Sequence, residues 1–434
     1  MPRKIVILGA GFAGAYCAQA LERRLGRDEA EVLLIDRHNY FSFSPLLVEA
    51  GIGTIEPRHA VIAIRAFLKR TQFRMAEVLD VDFARREVVY HVDETDTLAC
   101  APFDHLVLAF GSVSNLPPVP GLAEHAYEMK GLADAVALRD RAITMLEAAE
   151  ATADPERRRA MLHFVVVGGN YTGIEVAGEF DVFLKDAARR YGMLAPEDCQ
   201  VTLVEMADRI LPALDRDLAA YATRQLRGRG VDVRLERTVR EISRDRVTLS
   251  DGEVLSARTV IWTAGIAANP LYRRLHLPMD ERGYVLCEPD LRVLGFDNVW
   301  GIGDCAVNPD PDDRPYPATA QHAVQEGRHL ADNLARVLRG RHTRPFVYRS
   351  KGTLAALGCR TGVARVFGFK LSGFAAWFLW RTVYLMKMPG WRRRARVAAD
   401  WTLSLFSRSE VVQLGVHRAA VRSEPEGAAD RRAS

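Results

Sequence analysis

Two strand–glycine turn–helix units, at 5–36 and 163–205, and an aromatic- and arginine-rich stretch at 374–396 predict an α/β chain. The expected architecture is two Rossmann-like dinucleotide-binding domains followed by a C-terminal membrane-associating region. At 434 residues the chain has room for two or three domains. Lys and Arg number 59 against 55 Asp and Glu, a net +4 that is too balanced for a nucleic-acid binder relying on bulk charge.

The first unit opens with Ile5-Val6-Ile7-Leu8, a β-branched run suited to a buried parallel strand. Gly9, Gly11 and Gly14 follow in GxGxxG spacing, then a helical stretch, then a second apolar run ending at Asp36. Gly9 permits the turn, Gly11 lets the backbone approach a pyrophosphate, and Gly14 lets helix and strand pack closely. Asp36 can accept from a ribose hydroxyl. The 5–8 run is too short for a signal peptide, so exposure to the cytosol is expected.

The second unit repeats the plan with Gly168, Gly169, Asn170 and Gly173, and a strand that ends at Glu205. Asn170 stands where the middle glycine is expected. Asn tolerates left-handed backbone angles, but its side chain takes room beside a phosphate. Two such folds need two dinucleotides. The acid at each strand end favours NADH over NADPH, while Arg209 keeps NADPH open.

Six cysteines lie scattered without a CxxC pair, which fits a reducing compartment and leaves no zinc pattern. His322 and His329 have no metal partner at usable spacing, so no metal is expected. No stretch reaches the ~20 apolar residues that a spanning helix needs. Between 381 and 396 six basic residues occur with no acid, and four of the six tryptophans (377, 380, 391, 401) cluster nearby. Phe374, Trp377, Arg381 and Tyr384 recur at helical spacing. The stretch therefore reads as an interfacial helix on an anionic lipid surface.

Ala109-Phe110-Gly111-Ser112 and the late Gly303-Asp304 resemble the two-dinucleotide flavoproteins related to glutathione reductase. Within them, Ala320-Gln321-His322-Ala323-Val324-Gln325-Glu326-Gly327 resembles the AQxxxQxG segment of the type II NADH:quinone oxidoreductases. Phe43-Ser44-Pro45-Leu46-Leu47, Thr263-Ala264-Gly265 and Lys351-Gly352-Thr353-Leu354 agree. The resemblance runs from about residue 3 to residue 410.

The resemblance implies an FAD-dependent enzyme that takes a hydride from NADH and passes two electrons to a membrane quinone without pumping protons. It implies an FAD domain at 1–120 and 285–340, an NADH domain at 121–284, a membrane-anchoring region at 341–417 and a polar tail at 418–434. FAD would meet Phe12, Ala13, Arg37, Ala109, Gly111, Gly303, Asp304, Ala320 and Gln321 beside the first glycine turn. NADH would meet the second turn, Glu205, Ala264 and Gly265. Glu175 would approach the nicotinamide, and Lys387 would lie near flavin and quinone. Gln321 and Gln325, one helical turn apart, could donate to quinone carbonyls. The expected place is the cytoplasmic side of the cell membrane, held peripherally, and a homodimer is compatible with the sequence. Rival readings are a sulfide:quinone oxidoreductase, a soluble reductase of an electron-transfer protein, and a non-enzymatic NADH sensor. The first needs reactive cysteines, the second needs no anchor, and the third would not turn over.

Overall fold

The computed structural model describes residues 1–92, 98–310, 314, 316–406 and 410–415; the expected polar tail at 418–434 lies outside them. In the first unit β1 (Arg3–Leu8) runs into α1 (Phe12–Arg24) and β2 (Ala30–Asp36). The short helix α2 (Leu47–Gly51), β3 (Gln72–Met75) and β4 (His105–Leu108) follow. Residues 5–8 are each at most 2% exposed, which is why an unbroken apolar run, and not an alternating one, forms this strand. β1 pairs in parallel with β2, Ile5 opposite Val32 and Leu8 opposite Ile35.

The chain then leaves this sheet and builds a second one. It contains β5 (Ala126–Glu128), α3 (Leu132–Ala151), β6 (His163–Val167), α4 (Tyr171–Ala188), β7 (Gln200–Val204), β8 (Asp232–Arg234) and β9 (Thr259–Trp262). All five residues of β6 are buried. β10 (Val299–Gly301) returns to the first sheet and pairs in parallel with β4. The strand orders are β10-β4-β1-β2-β3 and β5-β9-β6-β7-β8. In each, the order reverses beside the first strand of the unit, and a crevice opens there at the carboxyl ends.

α5 (Ala320–Leu338) lies on α1. Gly327 makes that approach possible, since a Cβ there would stand 2.3 Å from the Ala13 carbonyl oxygen. The C-terminal region is an antiparallel sheet of β11 (Thr353–Ala356), β12 (Gly362–Val366) and β13 (Phe369–Ser372), then α6 (Gly373–Lys387) and α7 (Trp391–Leu403). Among the described residues no helix is long and apolar enough to cross a membrane.

The aromatic stripe of this region is not what its spacing suggests. Trp377, Trp380 and Trp401 are buried, and Arg381 inserts between the Trp377 and Trp401 rings at 4.3 and 4.6 Å. Its guanidinium pairs with buried Glu49 of α2 at 3.3 Å, and Trp401 Nε1 donates to the same carboxylate at 2.7 Å. Helical spacing identifies a face but not which side of it meets solvent. The outward aromatic residues include Phe374, Phe378, Trp391, Phe369 and the hairpin-tip Phe367.

Candidate functional site

The first glycine turn is built for an anionic ligand. Gly9 takes φ +103°, and a Cβ there would lie 2.3 Å from the Ala109 carbonyl oxygen. A Cβ on Gly14 would fall 2.0 Å from the Gly9 oxygen, whereas one on Gly11 would meet nothing within 4 Å. Gly11 thus faces open space at the start of α1, where no side chain caps the first-turn N–H groups. Those donors and the helix dipole are what a pyrophosphate needs. Asp36 ties the strand end to the turn, with Oδ2 accepting from Ala10 N and Oδ1 from His38 N, both at 2.7 Å. Each oxygen keeps a second lone pair for a ribose hydroxyl. Phe12 and Ala13 open α1, and Arg37 is exposed beside Asp36.

The second turn is similar and more closed. Gly168 takes φ +106°, and a Cβ on Gly173 would stand 1.8 Å from the Gly168 oxygen. Glu205 Oε2 accepts from Gly169 N at 2.5 Å and Oε1 from Ala207 N at 2.8 Å. Asn170 does not use its tolerance of left-handed angles; its φ is −78°. Its side chain instead caps α4, accepting from Gly173 N at 3.0 Å and donating to the Thr263 carbonyl at 2.6 Å. One N–H that would greet a phosphate is therefore already occupied. Thr263, Ala264 and Gly265 close over this turn from the end of β9, with Thr263 Oγ1 donating to Val167 O at 2.8 Å.

Between the two units lies a polar relay whose lysine carries no sequence signal. Lys130, just past β5, donates to Ser112 Oγ at 2.9 Å, and Ser112 donates to Asp304 Oδ2 at 3.2 Å. Burial pulls the Lys130 ammonium down from its ordinary value, opposed by Asp304 and Glu128. Ala109 and Gly111, with φ +67°, lead into this relay. A lone lysine between two elements has no spacing that could have revealed it.

The glutamine pair is engaged differently from expectation. Gln321 Nε2 donates to Gly352 O at 3.2 Å while its Oε1 accepts from Lys351 N at 2.6 Å. Gln325 Nε2 donates to Arg349 O at 3.0 Å and its Oε1 accepts from Arg349 N at 3.2 Å. The side chains thus clip α5 to the segment 349–352 that leads into the C-terminal sheet, instead of standing open to an acceptor. Only one amide hydrogen of Gln321 is left over, because a primary amide carries two and one is bonded.

Glu175 sits on α4 with Oε1 accepting from Ala356 N at 3.2 Å. Burial pushes its carboxyl up to about 8, helped by Glu179 and Glu49. Glu179 is likewise pushed up to about 7, first by burial and then by Glu49. Lys387 lies 5.6 Å from the Tyr384 ring, and its ammonium is pulled down by burial and by Lys351. An aromatic run of Phe12, Phe43 and Tyr384, with centroids 5.9 and 6.3 Å apart, connects the first glycine turn to this corner.

A family model described as pyridine nucleotide-disulphide oxidoreductase matches residues 3–327, and one for the NDH2 C-terminal domain matches 350–409. A type II NADH:quinone oxidoreductase of Staphylococcus epidermidis is 32% identical over 387 residues, covering 88% of this chain and 94% of the relative. A type II NADH:quinone oxidoreductase of Mycobacterium tuberculosis is 30% identical over 426 residues, covering 93% and 88%. Among solved structures, NDH2 from Plasmodium falciparum in complex with NADH superimposes with a TM-score of 0.88 at 21% identity, covering 95% of this chain and 100% of that one.

Proposed function

Since this chain belongs to the type II NADH:quinone oxidoreductases, within the pyridine nucleotide-disulphide oxidoreductase family, we infer that it oxidises NADH and reduces a membrane quinone. The observation that carries this reading is the pair of glycine turns, each closed by its own acid, on either side of a shared polar relay. Bound FAD supplies the two-electron relay between the substrates. The residues fit it: Gly11 opens onto free space, the first turn of α1 is uncapped, and Asp36 and Asp304 face the same crevice end.

The protein's own part is to bind and orient. We assign FAD to residues 1–120 and 285–340, held by Gly9, Gly11, Gly14, Asp36, Gly111 and Asp304. We assign NADH to 121–284, held by Gly168, Gly169, Gly173 and Glu205 and covered by Ala264 and Gly265. Asp36 and Glu205 accept from ribose hydroxyls and repel a 2′-phosphate, which sets NADH above NADPH. Glu175, held uncharged by burial, can donate or accept a hydrogen bond at the nicotinamide side without adding charge. Lys387, and the spare amide hydrogen of Gln321, are the donors for a quinone carbonyl. Steady-state turnover with a water-soluble quinone tests the assignment, with NADH expected to outpace NADPH.

We assign the C-terminal region, 341–417, to the membrane surface, on the cytoplasmic side where NADH is supplied. Phe374 and Phe378 stand one helical turn apart, outward and stacked, and Phe367 at the hairpin tip is also exposed. Arg392 and Arg396 are exposed next to outward Trp391. Each such cation near an anionic surface contributes about 1 kcal/mol, screened by salt. Truncating the region would also remove Arg381 and Trp401 from the core, so point substitutions are the cleaner probe. The double substitution Phe374→Ser/Phe378→Ser is expected to leave folding intact and reduce sedimentation with anionic vesicles. The residual binding should be more sensitive to high salt than that of wild type, because part of the unscreened apolar share is gone. Unchanged sedimentation in high salt would remove these phenylalanines from the membrane face.

A further inference from the structure

α5 has two working faces. Gln321 and Gln325 hold the segment 349–352 that leads into the C-terminal sheet, and on another side His322 and Glu326 are buried, Glu326 completely. Glu326 Oε2 accepts from the backbone N–H of Gly303 at 2.6 Å. Its Oε1 accepts from Asn308 Nδ2 and lies 3.3 Å from His322 Nε2. Gly303 takes φ +77°, and a Cβ there would stand 3.0 Å from that of Ala13, so the turn that presents Asp304 is both unusual and tightly seated. We propose that Glu326 is a positioning residue for the flavin, fixing the Gly303–Asp304 turn at the height where Asp304 meets the cofactor. This rests on the FAD assignment made above.

Burial and the neighbouring charges decide which form of the acid does this. His322 Nε2 is buried and makes no hydrogen bond among the described residues, Glu326 Oε1 at 3.3 Å included. Rings of Tyr316, Phe346 and Tyr348 surround the imidazole at 5.1 to 5.5 Å, and burial pulls it down to about 4, so it is neutral. A neutral imidazole brings no positive charge that would hold Glu326 ionised. Burial pushes Glu326 up to about 8, and Asp304 pushes in the same direction. The other titratable groups facing it, Cys305 and Cys287, are thiols held far up by burial and bring no charge. An uncharged acid grips the turn without placing a second negative charge beside Asp304 and a phosphate-bearing ligand.

A group with a raised folded pKa gives its full contribution at low pH and loses it as pH climbs through the folded value. Flavin retention should therefore weaken as pH rises through about 8. The test measures the FAD dissociation constant of the full chain, by fluorescence, from neutral to alkaline pH. Three proteins are compared: wild type, Glu326→Gln and Glu326→Ala. The amide mimics the neutral acid, so Glu326→Gln is expected to stay within about threefold of wild type at neutral pH and to lose the alkaline weakening. Glu326→Ala is expected to bind FAD at least about tenfold more weakly than wild type at neutral pH, with a deficit that shrinks as wild type weakens above about pH 8. If Glu326→Ala does not fold, the pH profiles of the other two still decide. A wild-type affinity that is flat through pH 8, or an amide variant that weakens in parallel with wild type, overturns the proposal. A wild-type chain that binds no FAD overturns the FAD assignment itself.

Discussion

Replacing Arg381 with leucine is expected to cost about 3–5 kcal/mol of local stability and to release the C-terminal helices from the first unit. The estimate comes from what the substitution leaves behind. Glu49 is 5% exposed and, among the described residues, receives two strong side-chain donors, the Arg381 guanidinium and Trp401 Nε1. Burial already pushes its carboxyl up, and Arg381 is the largest influence pulling it back. Without the cation, Glu49 is stranded as a buried charge or takes up a proton, and either outcome loses the pair. The Trp377 and Trp401 rings also lose the flat guanidinium that fills the gap between them. A chain of several domains need not unfold in one step, so the proper readout is local. Limited proteolysis should cut Arg381→Leu beyond about residue 350 much faster than wild type. Glu49→Leu/Arg381→Leu should recover more than half of the loss, since apolar replacement of both partners removes the stranded charge. Equal cleavage of Arg381→Leu and wild type would show that the buried pair does not hold the helices down.

Valine at Gly14 or at Gly173 is expected to separate the two nucleotide sites. The added Cβ alone would stand 2.0 Å from the Gly9 oxygen in one case and 1.8 Å from the Gly168 oxygen in the other. Both neighbours are backbone, so neither can swing aside, and the turn must open. Gly14→Val should purify without the visible flavin band. Gly173→Val should keep that band yet need at least about 100-fold more NADH to bleach it, on the order of 2.7 kcal/mol. If Gly173→Val loses flavin and Gly14→Val keeps it, the assignment of cofactors to units is reversed.

How much of this was legible follows from how local each feature is. The glycine turns and their acids were readable because strand, turn, helix and second strand are consecutive, and each acid bonds its own turn. The Gly303–Asp304 segment and the glutamine pair were readable only as a resemblance. Their partners, the 349–352 backbone and Ser112, lie well away along the chain. Asn170 was misjudged in conformation because its cap on Gly173 and its bond to Thr263 depend on where β9 falls. The tryptophan stripe was misjudged because periodicity is the same whether a face meets lipid or Glu49. Glu49 and Arg381 are 332 positions apart, and no spacing rule reaches that far. Glu326 stood next to Gln325 in a segment already singled out. Its role became visible only when α5 was placed against Gly303.

In the proposed assignment one flavin takes electrons from NADH at the second unit and gives them to a quinone beside the C-terminal region. Anaerobic double-mixing tests it directly. FAD-loaded protein is first mixed with one equivalent of NADH and then with one equivalent of quinone, while the visible flavin band is followed. The band should bleach in the first step and return fully in the second, each at least as fast as steady-state turnover. A band that NADH bleaches but quinone does not restore would contradict the account, leaving an NADH-reducible flavoprotein whose electrons go elsewhere.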